Sequence, residues 1–136
     1  MSELGHARHQ ARQRALELLY EASMKGRSPH EILGEQPLAP VDYVVTLLDA
    51  VERHRERAET LIARQSHQWA LDRIALLDRL IMTLALSELL LDDAPPVAVV
   101  LDEAVELAKT YSTDESPAFV NGVLSGCVPL LREAPQ

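Results

Sequence analysis

An all-α fold is what this sequence predicts, and three features carry the prediction. Apolar residues recur at spacings of three and four along most of the chain, and no segment alternates with a period of two. Five Gly and eight Pro punctuate the chain without dominating it. Residues 74–91, IALLDRLIMTLALSELLL, are apolar nearly all round, interrupted only by Asp78, Arg79, Thr83, Ser87 and Glu88. Such a helix must be buried on most sides. A membrane span needs about 20 residues with few or no charges. This shorter run carries three formal charges, so it reads as the core helix of a bundle that the other helices surround.

The elements follow in order. Residues 1–7 read as loose. From Arg8, an amphipathic helix places Ala11, Ala15, Leu18, Leu19 and Ala22 on one face, and Gly26 stops it. Its first turns hold Arg8, Arg12 and Arg14 with His6 and His9, while Glu17 and Glu21 come later. The helix dipole prefers the opposite order. A partner anion would explain the arrangement, and a solvated arm with no specific role is the alternative. Ser28-Pro29 has the form of an N-cap with Pro at the first helical position, opening a short helix over 30–35.

After a connector at 37–40, a long helix is expected over 41–65, with Val41, Val44, Leu48, Val51, Ala58 and Ile62 on its inner stripe. Its outer face interleaves Glu52, Arg53, Glu56, Arg57 and Glu59, which reads as a solvated face. Trp69 and Leu71 lead into Asp72, a plausible cap for the core helix. Pro95-Pro96 ends that segment, because Pro-Pro does not continue a helix. A helix over 97–111 should bury Val97, Val100, Leu101, Ala104, Leu107 and Ala108. Ser116 as N-cap and Pro117 at the first position open the last helix, which reaches about 130. One domain over 1–136 is expected, with no repeat or low-complexity tract.

Composition bounds the function. Aromatics are only 4% of the residues, so the core is aliphatic. A net charge of −8 opposes phosphate binding by the body as a whole, so any nucleic-acid site must be a local basic patch. The single cysteine, Cys127, excludes an internal disulfide and a cysteine zinc site, and reads as a buried apolar residue. No apolar h-region opens the chain, which points to a cytoplasmic protein.

Catalytic constellations are missing. There is no glycine-rich phosphate loop and no nucleophile elbow. The histidines are scattered, and Glu3-Leu4-Gly5-His6 is a lone match where a di-iron bundle needs two such motifs plus two further Glu. Asp102, Glu103 and Glu106 read as exposed dipole partners at a helix start. Gly122 and Gly126 do not lie in an apolar 20-mer and so form no membrane-dimer motif. The reading is of a non-enzyme without cofactor, metal or membrane span.

The C-terminal half carries a resemblance. Residues 102–126, with Glu103-Ala104-x-Glu106-Leu107-Ala108-Lys109 and Phe119-Val120-Asn121-Gly122-Val123-Leu124 joined by an Asp/Glu/Ser turn, resemble the NusB family of transcription antitermination factors. Arg8-x-x-Ala11-Arg12-x-x-Ala15-Leu16-x-x-Leu19-Tyr20 is similar to the family's arginine-rich first helix, and Ile81-x-x-Leu84-Ala85-x-x-Glu88-Leu89 to its core helix. Pro96 falls at the family's proline before the next helix. The blocks span nearly the whole chain in order. The chain departs from the family pattern at His9 and Gln10, where basic residues are usual. It departs also at Thr83 for Arg, Ser87 for Tyr, Ser112 for Gly and Ser125 for Asp.

The resemblance implies a compact bundle of about seven helices in two packed halves. It implies binding of boxA-type single-stranded RNA together with the small-subunit ribosomal protein NusE, in an RNA polymerase elongation complex. It assigns Arg8, Arg12 and Arg14 to the RNA backbone, a role that suits guanidinium groups. Phe119 would stack a base or shape the site. Tyr20 is open between RNA contact and core packing, Asn121 between a base edge and a helix cap, and Lys109 between phosphate and the helix dipole. Asp78, Glu88 and Glu115 match acidic positions and would meet the partner, for which an acidic body is suited. Two alternatives stand beside it. One is a NusB-like domain of the kind fused to ribosomal-RNA cytosine methyltransferases, although the chain reaches Gln136 without a cofactor domain. The other is a helical interaction module or homodimer that hides the arginine face.

Overall fold

The structure, a computed structural model, describes residues 2–67 and 71–133. Among the described residues there are six α-helices and no strand: α1 (Glu3–Lys25), α2 (Pro29–Gly34), α3 (Asp42–Gln65), α4 (Leu76–Leu89), α5 (Val97–Tyr111) and α6 (Ser116–Cys127). Two 3-10 turns, Leu71–Arg73 and Val128–Leu130, complete the order. The all-α expectation holds, with six α-helices against the seven or so that the resemblance implies. No helix among the described residues is long and apolar enough to cross a membrane. The expected position of Trp69 lies outside the described residues. The chain divides into two compact units, Met1–Asp49 and Ala50–Gln136, and α3 contributes its start to the first and the rest to the second.

In the first unit, α1 begins earlier than its sequence suggests. Ser2 caps it, its hydroxyl accepting from the Gly5 amide at 2.9 Å. The residues expected to be loose are therefore helical from Glu3, an acid placed correctly for the dipole. Arg8, Arg12 and Arg14 then lie inside the helix, not in its first turn. Gly26 ends it in the left-handed region (φ 64°), where glycine carries no Cβ penalty. Ser28 caps α2 as expected, accepting from the Glu31 amide at 3.1 Å. α2 packs on α1, and Ile32 is fully buried. Arg27 forks onto both Glu35 oxygens at 2.8 and 2.6 Å, which raises the Arg27 pKa and lowers that of Glu35. The pair is exposed to water and adds little to stability.

In the second unit, α4 is the buried element that its composition demands. Every residue from 80 to 88 is buried. Burying a Leu, Ile or Met side chain is worth about 1.5–3 kcal/mol, so Leu80, Ile81, Met82, Leu84 and Leu86 dominate this core. α5 and α6 pack against α4 and against each other. α5 has the predicted bounds, but Val97 is exposed and Leu101 half-buried, while Val100, Ala104, Leu107 and Ala108 are buried. Val41 is likewise exposed, preceding the first turn of α3.

The caps of this unit depart from expectation. α4 starts after Ala75 with no side-chain cap, and Asp72 belongs to the preceding 3-10 turn. Glu115 holds the N-cap position of α6 without capping it, and Ser116 is its first residue. Arg57, expected on a solvated face, instead points Nη2 at the carbonyls of Leu130 (3.0 Å), Leu131 (3.1 Å) and Glu133 (2.7 Å). It gathers the carbonyls of the turn after α6, of which that of Leu130 also accepts from the Glu133 amide at 3.2 Å. Gly126 leaves room for the Gln65 carboxamide of α3, which a Cβ there would meet.

α4 also buries Ser87 completely, and its Oγ makes no hydrogen bond among the described residues. An unsatisfied buried hydroxyl costs about 1–3 kcal/mol. Replacing Ser87 by Ala is therefore expected to raise stability by about 1 kcal/mol in urea denaturation, with an unchanged m-value. A loss of stability would mean the hydroxyl is satisfied.

Candidate nucleic-acid interface

The candidate cations do not share one environment. At about 100° per residue, Arg12 projects between Leu19 and Leu16, inside the apolar arc of α1. The structure agrees, for Arg12 is only 3% exposed and is held by interactions inside the protein. The expectation that Arg12 meets RNA is corrected: its guanidinium is interior. A helical projection of the sequence carries the signal. Arg14 lies well off that arc and is exposed, donating to Glu17 Oε1 at 3.2 Å and to Gln36 Oε1.

Arg8 falls on the same arc as the buried residues but sits near the helix start and is only half-buried. Its guanidinium carbon lies 4.8 Å from the centre of the Tyr43 ring. That is cation–π distance. Tyr43 was not a sequence candidate, since nothing local links positions 8 and 43. Arg8 and Arg14 line one cavity of about 730 Å³ together with Tyr43. Its walls are mostly apolar, and Leu4, Leu38 and Val41 are exposed there at 62%, 80% and 61%. Tyr20 is exposed on α1 but does not line the cavity.

The remaining candidates lie in the second unit, around the junction of α5 and α6. Lys109 is exposed near the end of α5, within 3.3 Å of Glu106 Oε1. Glu115 is exposed at the start of α6, Phe119 is half-buried one turn on, and Asn121 is exposed. Phe119 thus presents part of a ring and Asn121 an amide edge, the two group types that read single-stranded bases. Asp92, Asp93, Asp102 and Glu106 are exposed, as are Val97 and Val99, so this unit also shows an acidic and partly apolar face.

Two acidic candidates are corrected. Asp78 is 7% exposed and Glu88 is 1% exposed, so neither is a surface contact for a partner. Both lie on the helix that the core encloses. Asp78 accepts from Ser112 and Ser116, and Glu88 is held by interactions inside the protein. Thr83 and Ser87, where the chain departs from the family pattern, are buried beside them.

Burial lowers the His54 pKa, with Arg53 and Arg57 adding to the effect. As pH falls, the unfolded chain takes up this proton first, so the site lowers stability in acid.

A model of the NusB family matches residues 9–129 of the chain. The chain is 46% identical over 125 residues to the transcription antitermination protein NusB of Saccharopolyspora erythraea, covering 87% of this chain and 84% of that protein. It is 44% identical over 129 residues to the protein of the same name from Streptomyces coelicolor, covering 87% and 89%. Among solved structures, T. maritima NusB superposes with a TM-score of 0.82 at 28% identity, covering 94% of this chain and 93% of that one. A crystal structure of the antitermination factors NusB and NusE in complex with double-stranded RNA contains a chain that matches with a TM-score of 0.76. Its identity is 28%, and the match covers 90% of this chain and 96% of that one.

Cys127 is fully buried, and burial pushes its thiol pKa up to about 11 against a small opposing effect of Arg64. Thiolate is the reactive form. The native protein is therefore expected to resist a disulfide-exchange reagent at pH 8, and to react with one equivalent once unfolded in guanidinium. Rapid labelling of the native protein would contradict this.

Proposed function

The chain belongs to the NusB family, and from that premise we propose that it binds boxA-type single-stranded RNA together with ribosomal protein NusE. In this reading it acts on the RNA polymerase elongation complex as a transcription antitermination factor and catalyses nothing. The observation that supports it most is the likeness, over nearly the full chain, to a NusB solved with NusE and RNA.

The roles follow from exposure and chemistry. Arg8 and Arg14 contact phosphate, with Arg8 braced on Tyr43. Lys109 adds a point charge. Tyr20 and Phe119 offer ring faces, and Asn121 offers donors and acceptors to a base edge. Glu115, with the exposed acids of α5, meets the basic partner. An overall charge of −8 opposes RNA and favours that partner. Binding of the partner offsets the repulsion and makes RNA binding cooperative.

A second reading is a self-associating helical module. The exposed Leu4, Leu38 and Val41 around one cavity favour it, because a second copy of the chain would cover them. Sedimentation over a concentration series separates the two: a monomer at binding concentrations excludes the homodimer.

The test is fluorescence anisotropy of a boxA-like single strand, with and without NusE, at two salt concentrations. A duplex RNA serves as the comparison. NusE is expected to tighten single-strand binding at least about tenfold. The Arg8→Ala/Arg14→Ala pair should weaken it and flatten the salt dependence by about 1.4, at about 0.7 per phosphate for single strands. If NusE has no effect and the double variant binds like the parent, the reading fails.

A further inference from the structure

Asp78 lies in the first turn of α4, buried, and each of its carboxylate oxygens faces a different hydroxyl. Ser112 Oγ donates to Oδ1 at 2.6 Å, and Ser116 Oγ donates to Oδ2 at 3.0 Å. A hydroxyl has one proton and two lone pairs. With its proton committed to Asp78, Ser116 Oγ serves as acceptor for Thr113, whose amide lies at 3.2 Å and whose hydroxyl lies at 2.9 Å. Ser116 Oγ also stands 2.9 Å from Ser112 Oγ, an alternative acceptor for its single proton.

The placement of these groups gives the network its meaning. Ser112 is the C-cap residue of α5, and Ser116 is the first residue of α6. One side chain of α4 therefore ties the end of one helix to the start of the next. Ser116 is a residue type that usually caps a helix, yet α6 has no side-chain cap. Its hydroxyl is turned to the carboxylate instead. Hydrogen bonds to a carboxylate are roughly twice as strong as neutral ones, which accounts for that preference. Lys109 lies one turn before this junction and Phe119 one turn after it, with Glu115 inside it.

We propose that Asp78 is a positioning residue for RNA binding. It touches no RNA. It fixes the angle at which α5 and α6 leave their junction, and so the separation of the Lys109 charge from the Phe119 ring and the Asn121 amide. Ser112 supplies the second of its two donors at a position where this chain departs from the family pattern. The proposal rests on the RNA-binding reading above, and it replaces the direct partner contact that the resemblance assigned to Asp78.

The experiment pairs RNA anisotropy with amide hydrogen exchange across residues 109–121. In Asp78→Ala, single-strand affinity is expected to fall about tenfold and the junction amides to exchange at least about tenfold faster. The salt slope should match the parent, because no phosphate contact is lost. Asp78→Asn keeps one carbonyl acceptor and should fall between the two. Ser112→Ala/Ser116→Ala keeps the carboxylate, removes both donors and should reproduce the Asp78→Ala result; it carries the test if Asp78→Ala does not fold. Arg8→Ala is the contrast, with weaker binding, a shallower salt slope and unchanged junction exchange. The proposal is overturned if the junction opens in these variants while RNA binding stays at the parent level, or if Asp78→Ala alters the salt slope. Failure of the RNA reading looks different: Arg8→Ala and Phe119→Ala would then bind like the parent.

Discussion

A helix without a solvent face sets the terms for the second unit. From 80 to 88, α4 turns every side chain inward, so the usual division into a wet and a dry face does not apply to it. Its polar side chains must be satisfied inside the fold or left at a cost. Asp78 takes the first course, and the Ser87 hydroxyl takes the second. The junction of α5 and α6 is therefore a consequence of α4: the serines that shape it are the donors that a buried carboxylate requires. Arg57 applies the same rule after α6, donating to the carbonyls of Leu130, Leu131 and Glu133.

Much of this fold was legible because its punctuation is local. Gly26, Ser28-Pro29 and Pro96 act within a few residues of themselves, and the helix bounds they imply match those observed to within a residue or two. The apolar run of α4 announced its burial by composition alone. The start of α1 was missed, although Ser2 and Gly5 stand at capping distance in sequence, because a terminal segment with few apolar residues gives periodicity nothing to register. Asp72 lies in the 3-10 turn ahead of α4, and the cap at Ser116 was misplaced for a different reason. A hydroxyl or carboxylate goes to its strongest available partner, and for Ser116 that partner is 38 residues away.

The candidate site was legible in residue type and only partly in exposure. Arg8, Arg12 and Arg14 look alike in the sequence, yet one braces a tyrosine, one is interior and one is paired at the surface. Angular position on the helix separates Arg12 from Arg14, and that position follows from residue spacing alone. What sets Arg8 apart from Arg12 is Tyr43, an accident of tertiary proximity with no local signature. Glu115, Lys109 and Asn121 are exposed, as candidates for contact must be, whereas Asp78 and Glu88, acids like Glu115, serve the interior.

The distribution of charge then constrains how such a protein can bind RNA at all. With a net charge of −8, the body repels phosphate at long range, and the exposed cations of α1 act against that field. Arg14 is already paired with Glu17, so part of its attraction is spent within the protein. Simple electrostatic capture is thus weak, and under the proposed function affinity comes from groups held at the right spacing and from a partner that changes the local field. Both requirements meet at the second unit. Its acidic α5 face suits a basic protein, and its α5–α6 junction is tied down by a carboxylate rather than left to a flexible turn. On the proposed function, a chain with so negative a body gains from rigid placement of Lys109, and the buried Asp78 tie would then serve binding as well as core stability.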